Sequence, residues 1–73
     1  MAVRRITAEV AGAVSEVVVV LGQAVAAEDT VVFIECMKMQ LPVVSPWAGT
    51  VRAIHVEPGA LVEEGQVIVD LEA

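Results

Sequence analysis

Seventy-three residues with a formal net charge of −6 make one small domain, near the lower end of what folds unaided. Ten acids against four bases disfavour nucleic acid, whose phosphates are bound through Lys and Arg, and Arg4, Arg5, Lys38 and Arg52 do not cluster. Apolar residues are 58% and mean hydropathy is +0.79, yet charge, Gly or Pro breaks every apolar stretch well short of the ~20 residues of a spanning helix.

From the N-terminus, no apolar core of signal-peptide length follows Arg4 and Arg5, so a cytoplasmic protein with no membrane partner is expected. The first β signal is Val14-Ser15-Glu16-Val17-Val18-Val19-Val20, β-branched and partly alternating. Gly12 precedes it and Gly22 closes it, and both read as turn positions where Gly takes φ > 0 at no steric cost. Ala24 to Glu28 reads as a short strand or turn. Val31-Val32-Phe33-Ile34 then runs into Glu35-Cys36-Met37-Lys38-Met39-Gln40, and Leu41-Pro42-Val43-Val44 runs out of it. Lys38 therefore falls at a hairpin over residues 35–40, between two apolar β segments. Beyond Gly49, Val51 to Val56 is a strand signal and Glu57-Pro58-Gly59-Ala60 is a type II turn signal. Leu61 to Gly65 is a short strand or turn, and Val67 to Leu71 is the closing strand. No segment carries a long helical period.

Sliding the chain on itself by 37 residues lays 8–36 over 45–73, and eight of the 29 pairs are identical. The matched glycines, Gly12 with Gly49 and Gly22 with Gly59, carry more weight than the valines, which inflate the identity. Two such repeats predict an all-β domain over residues 1–73, two small sheets packed face to face, related by a pseudo-twofold axis. The link 37–44 carries the lysine, which the symmetry puts at one end of the molecule with both termini at the other. Val14, Val17, Val32, Ile34, Val51, Ile54, Val69 and Leu71 are the expected core.

Lys38 is the sole lysine, so a reaction needing a primary amine has only Lys38 and the N-terminus to use. Met37 and Met39 beside it supply either a soft, adaptable contact surface or core residues straddling the turn. The single cysteine, Cys36, excludes an internal disulfide and fits a reducing compartment. As a nucleophile it needs a base, and the sole histidine, His55, lies elsewhere on a strand. One Cys and one His write no familiar metal site and no catalytic site. Trp47 reads as a packing residue at a position near the lysine turn. Glu57, Glu63, Glu64, Asp70 and Glu72 read as a solvated, edge-protecting face, and Glu35 as a residue orienting the turn or a modifying enzyme.

Glu35-Cys36-Met37-Lys38-Met39 resembles the Glu-Ala-Met-Lys-Met box of the biotinyl/lipoyl attachment domains. Ser45-Pro46-Trp47-Ala48-Gly49-Thr50-Val51 resembles the segment that follows that box, and Pro58 to Gln66 is similar to the family's closing Pro-Gly-x-x-Val-x-x-Gly-Gln stretch. The resemblance covers residues 6–73. It implies a flattened β-barrel of two four-stranded antiparallel sheets, a barrel-sandwich hybrid with the modified lysine on an exposed turn. It implies biotin joined to Lys38 by a biotin protein ligase through biotinyl-AMP. Carboxybiotin would then pass from a biotin carboxylase to a carboxyltransferase or decarboxylase, as in acetyl-CoA carboxylase and related systems. A solvated alkylammonium of ordinary pKa ~10.4 is neutral in only about one part in 10³ at pH 7. Acylation therefore needs an activated donor, which the separate ligase supplies. Lipoyl domains resemble Asp-Lys-Ala at this turn, so Met37 and Met39 favour biotin over a lipoyl-type carrier, and an unmodified β-scaffold is the third alternative. Cys36 replaces the usual Ala, and Trp47 a smaller residue. The ungapped repeat leaves no room for the protruding thumb of some carriers, and the lack of an Ala/Pro-rich linker leads us to expect a free-standing carrier.

Overall fold

The computed structural model describes residues 2–73 and measures 37 × 18 × 17 Å. Its described residues form eight strands: β1 (Val3–Thr7), β2 (Gly12–Val17), β3 (Ala24–Val25), β4 (Thr30–Cys36), β5 (Met39–Val44), β6 (Gly49–Ile54), β7 (Leu61–Val62) and β8 (Val67–Glu72). They pair antiparallel in two four-stranded sheets, β1-β8-β6-β3 and β5-β4-β2-β7. Among the described residues no helix is long and apolar enough to cross a membrane.

The two sheet orders become one another when β1–β4 are exchanged with β5–β8. The repeat therefore includes β1 and β5, which the alignment of 8–36 with 45–73 left out. β1 was missed because Arg4 and Arg5 interrupt it; its strand conformation comes from pairing with β8. The supposed link 37–44 is largely strand β5. Neither half builds a sheet of its own: each sheet takes two strands from each half. Ala2 and Ala73 exchange backbone hydrogen bonds (3.3 and 3.0 Å), closing the β1–β8 ladder where Cys36 and Met39 close the β4–β5 ladder.

Irregularities repeat as faithfully as strands. The ladders slip at Ser15 on β2 and at its counterpart Arg52 on β6. They slip again at Val31 on β4 and at its counterpart Ile68 on β8. Each slip is a bulge, one extra residue opposite none, and it breaks the two-residue alternation of faces. Val31 and Val32 are therefore both buried, as are Ile68 and Val69. Val14, Val32, Ile34, Val51, Val69 and Leu71 are core as expected, whereas Val17 and Ile54 are only half-buried and pack against it. Val19 and Val56 are buried beyond their strands, because β2 ends at Val17 and β6 at Ile54 rather than running on to Val20 and Val56.

The glycines divide into two kinds. Gly22 and Gly59 have φ of 85° and 92° in turns closed by Gln23 N to Val20 O (3.2 Å) and Ala60 N to Glu57 O (3.0 Å). Gly12 and Gly49 instead open β2 and β6 without positive φ, correcting their reading as turn positions. A Cβ on Gly12 would run into the Glu35 carbonyl oxygen and come within 2.7 Å of Ile34 Cγ2. Close approach of backbones is what excludes a side chain there. Among the acids, Asp70 and Glu72 lie not on an edge but on β8, between β1 and β6. Asp70 bonds His55 (3.1 Å) and approaches Arg5 (3.8 Å), and Glu72 pairs with Arg52 (3.5 Å).

Glu28 has φ of 77° where its counterpart Gly65 has 87°. The left-handed conformation costs an L-residue ~1–2 kcal/mol, against ~0.5–1 kcal/mol for the extra chain entropy of Gly. Glu28→Gly is expected to raise the unfolding free energy, and Gly12→Ala to lower it by about 1–3 kcal/mol through overpacking. Urea denaturation of the two variants beside the parent checks both signs.

Candidate functional site: the lysine hairpin

β4 and β5 stay paired from Thr30↔Val44 to Cys36↔Met39, leaving Met37 and Lys38 as a two-residue loop. Their φ values are 52° and 66°. Two positive φ angles mark the primed turn whose twist matches that of a hairpin, and Asn-Gly is its usual sequence. Met-Lys has neither residue, so the tip is locally strained. The ladder holds it, since β4 is an inner strand bonded on one side to β5 and on the other to β2.

The strain presents the lysine. Lys38 is exposed and, among the described residues, makes no ion pair within 4.0 Å. Met37 is 90% exposed and Met39 61% exposed, so neither is a core residue straddling the turn. Cys36 is a free, half-buried thiol at the last ladder pair. His55, the only imidazole, is bonded to Asp70 on the other sheet, so it serves no base role toward Cys36.

Beneath the tip, Ser15, Glu35, Lys38 and Gln40 line a shallow polar depression. Gln40 Nε2 donates to Ser15 Oγ at 2.8 Å, and Ser15 Oγ donates to the Phe33 carbonyl at 3.3 Å. This chain of bonds reaches from β5 over β4 to β2 and braces the hairpin on its outer face. Glu35 and Gln40 face each other across the ladder. Sequence reasoning singled out Glu35 but missed Ser15, because only the pairing of β2 with β4 and of β4 with β5 brings that residue beside Gln40. A lone serine breaking a valine run was the available signal. Gly12 completes the support by letting β2 lie against the backbone of Glu35 and the side chain of Ile34.

Trp47 is not at the lysine turn. It follows the far end of β5, where the fully buried Ser45 Oγ accepts from Trp47 N at 3.2 Å. Its ring carries the Arg4 guanidinium 5.2 Å from the centroid and lines a largely apolar groove of about 330 Å³ between the edge strands β1 and β5. Among the described residues no group of three His, Cys, Asp or Glu could hold a metal ion. What the site offers chemically is one solvated primary amine on a braced support, with methionine sulfurs on either side.

Comparison with known proteins agrees with that geometry. The family described as "Biotin-requiring enzyme" matches residues 5–71. The chain is 36% identical over 67 residues to the biotin-dependent acyl-coenzyme A carboxylase alpha3 subunit of Mycobacterium leprae, covering 92% of this chain but 11% of that one. It is 36% identical over 63 residues to the biotinylated protein TB7.3 homolog of the same organism, covering 86% and 89% of the two chains. Among solved structures, the Kluyveromyces lactis urea carboxylase superposes with a TM-score of 0.92 at 28% identity, over 99% of this chain and 6% of that one. The chain thus spans about a tenth or less of the two large carboxylases and most of the small biotinylated protein.

The turn strain is separable from the lysine. Asn visits the left-handed region far more readily than Met, so Met37→Asn is expected to stabilise the fold by up to about 1 kcal/mol. A urea midpoint that falls, with an unchanged slope, would contradict the strained-turn assignment.

Proposed function

Because the chain belongs to the biotinyl/lipoyl family of biotin-requiring enzymes, we propose that it is a biotin carboxyl carrier whose attachment residue is Lys38. The observation that carries the reading is the sole lysine, exposed and unpaired among the described residues, at the tip of a strained hairpin flanked by exposed methionines. Such an amine is reachable by a macromolecular active site from several directions. Biotin bound there as an amide supplies a ureido nitrogen that takes up and releases carboxylate.

The chain's own residues have limited tasks. Lys38 Nζ loses a proton and forms the amide bond to the biotin carboxyl carbon as AMP leaves the activated acyl group on a biotin protein ligase. Met37 and Met39 give successive partner enzymes an apolar surface that adapts to each. The β4–β5 ladder, paired up to Cys36 and Met39, holds the amine in one place, so that every partner meets one geometry. Catalysis belongs to the partners, a biotin carboxylase and a carboxyltransferase or decarboxylase acting on an acyl-CoA or related substrate; the carrier itself is not an enzyme. The family relatives named as carboxylases support that assignment of partners. A cytoplasmic, reducing compartment suits the free Cys36 thiol beside the acceptor.

Incubation with biotin, ATP and a biotin protein ligase is expected to add one biotin per chain, read by intact mass. Lys38→Arg should fold and take no label. Moving the amine one position, with Met37→Lys and Lys38→Met, should nearly abolish labelling while leaving the fold intact, because the turn redirects the side chain. Efficient lipoylation by a lipoate ligase without a biotin adduct would leave a carrier but overturn the choice of cofactor. Labelling of Lys38→Arg would overturn the site.

A further inference from the structure

The internal symmetry supplies a control for the lysine end. A shift of 37 residues carries Ser15 onto Arg52 and Glu35 onto Glu72. Both members of each pair play the same backbone part: Ser15 and Arg52 are the bulge residues of β2 and β6, and Glu35 and Glu72 lie on the neighbouring strands β4 and β8. The side chains behave differently. On one sheet the Arg52 guanidinium meets the Glu72 carboxylate at 3.5 Å. On the other, a serine occupies the bulge, turns to Gln40 and Phe33, and leaves the Glu35 carboxylate with no ion-pair partner among the described residues.

The one cation bordering the Glu35 depression is Lys38 itself, and it forms no pair with Glu35 within 4.0 Å. Acylation of Lys38 removes even that charge. The lysine end therefore keeps an uncompensated carboxylate three residues from the acceptor amine, both before and after modification. The symmetry-equivalent position shows that this backbone accommodates an arginine that would cancel it.

Resting on the carrier reading above, we propose that Ser15 is a specificity-determining, positioning residue for modification of Lys38. It acts through Glu35. A short side chain at the bulge keeps the Glu35 carboxylate free to receive a cationic side chain of the enzyme that acylates Lys38, and ties Gln40 aside so that the approach stays open. An arginine at this position would satisfy Glu35 internally. Incoming enzyme would then have to displace an existing ion pair instead of meeting a free one. Charge contacts at the rim of an interface govern encounter rate and salt dependence more than the chemical step, so the effect belongs in KM and not in kcat.

The experiment is ligase kinetics on the full chain, varying carrier concentration, at low and moderate salt. Ser15→Arg is expected to raise KM about five- to tenfold with kcat unchanged, and to flatten the salt dependence of kcat/KM. Ser15→Thr, which keeps the hydroxyl, should restore parental kinetics. Glu35→Gln alone should raise KM and flatten the salt dependence in the same way, and adding Ser15→Arg to it should cost nothing further. Urea denaturation monitors folding, and the Glu35→Gln comparison stands even if the arginine variant folds poorly. Parental KM in Ser15→Arg would overturn the proposal. So would a Ser15→Arg penalty of equal size in the Glu35→Gln background, since that would be steric. If the parent chain takes no biotin, the carrier reading itself falls; if the parent labels and the variants behave as the parent, only the role of Ser15 falls.

Discussion

The structure depends on the exchange of strands between the two halves of the chain. A four-strand half with two-residue strands such as β3 or β7 has too little apolar surface to bury by itself. Placing β6 and β8 against β1 and β3, and β2 and β4 against β5 and β7, gives each sheet two longer inner strands. Val14, Val32, Ile34 and their counterparts Val51, Val69 and Leu71 then meet in one core. Full burial of each such side chain contributes about 1.5–3 kcal/mol, and folding either half alone would forgo most of it. Two ends related by symmetry follow from the same exchange: one is a hairpin tip, and at the other the ladder closes on Ala2 and Ala73.

That arrangement makes a good platform for an amine. The hairpin tip extends an inner strand, so its position is set by hydrogen bonds on two sides and not by a loop's own preferences. Such a strand can hold a Met-Lys turn in a backbone conformation normally left to Asn-Gly. The consequence is functional: a lysine with no ion pair among the described residues, at a place the rest of the fold does not need. The strain at Met37 and Lys38 and the exposure of two methionines both run against local preference, and both are located at the tip that carries the lysine.

Symmetry also separates what the fold requires from what the site requires. Bulges at Ser15 and Arg52, and at Val31 and Ile68, recur because the barrel's curvature needs them on both sheets. Side chains that differ between equivalent positions are freed from that requirement. Arg52 satisfies Glu72 where Ser15 leaves Glu35 open, and Val3 stands where Gln40 braces the tip. Such differences occur on both sheets: the Arg5, His55 and Asp70 cluster of one has no counterpart on the other, which carries the lysine.

The sequence by itself determined the β class, the repeat, the turns at Gly22 and Gly59, and the lysine hairpin with its methionines. Those features are local: β-branched runs, a turn dipeptide and a single amine need no distant partner to be recognised. Biotin as the cofactor also came from the chain, through the resemblance carried by Glu35 to Met39 and Pro58 to Gln66. Tertiary structure alone decided which strands share a sheet, that β1 exists, and that Gly12 and Gly49 serve close approach instead of a turn. It also removed Trp47 from the lysine, brought Ser15 to Gln40 across 25 residues of sequence, and buried Val31 beside Val32 and Ile68 beside Val69. For those consecutive buried pairs the reason is the bulge. In a strand with strict alternation the face of each residue can be counted off from its neighbours, but one unpaired residue shifts the count, and where that shift falls is settled by the register of the neighbouring strand.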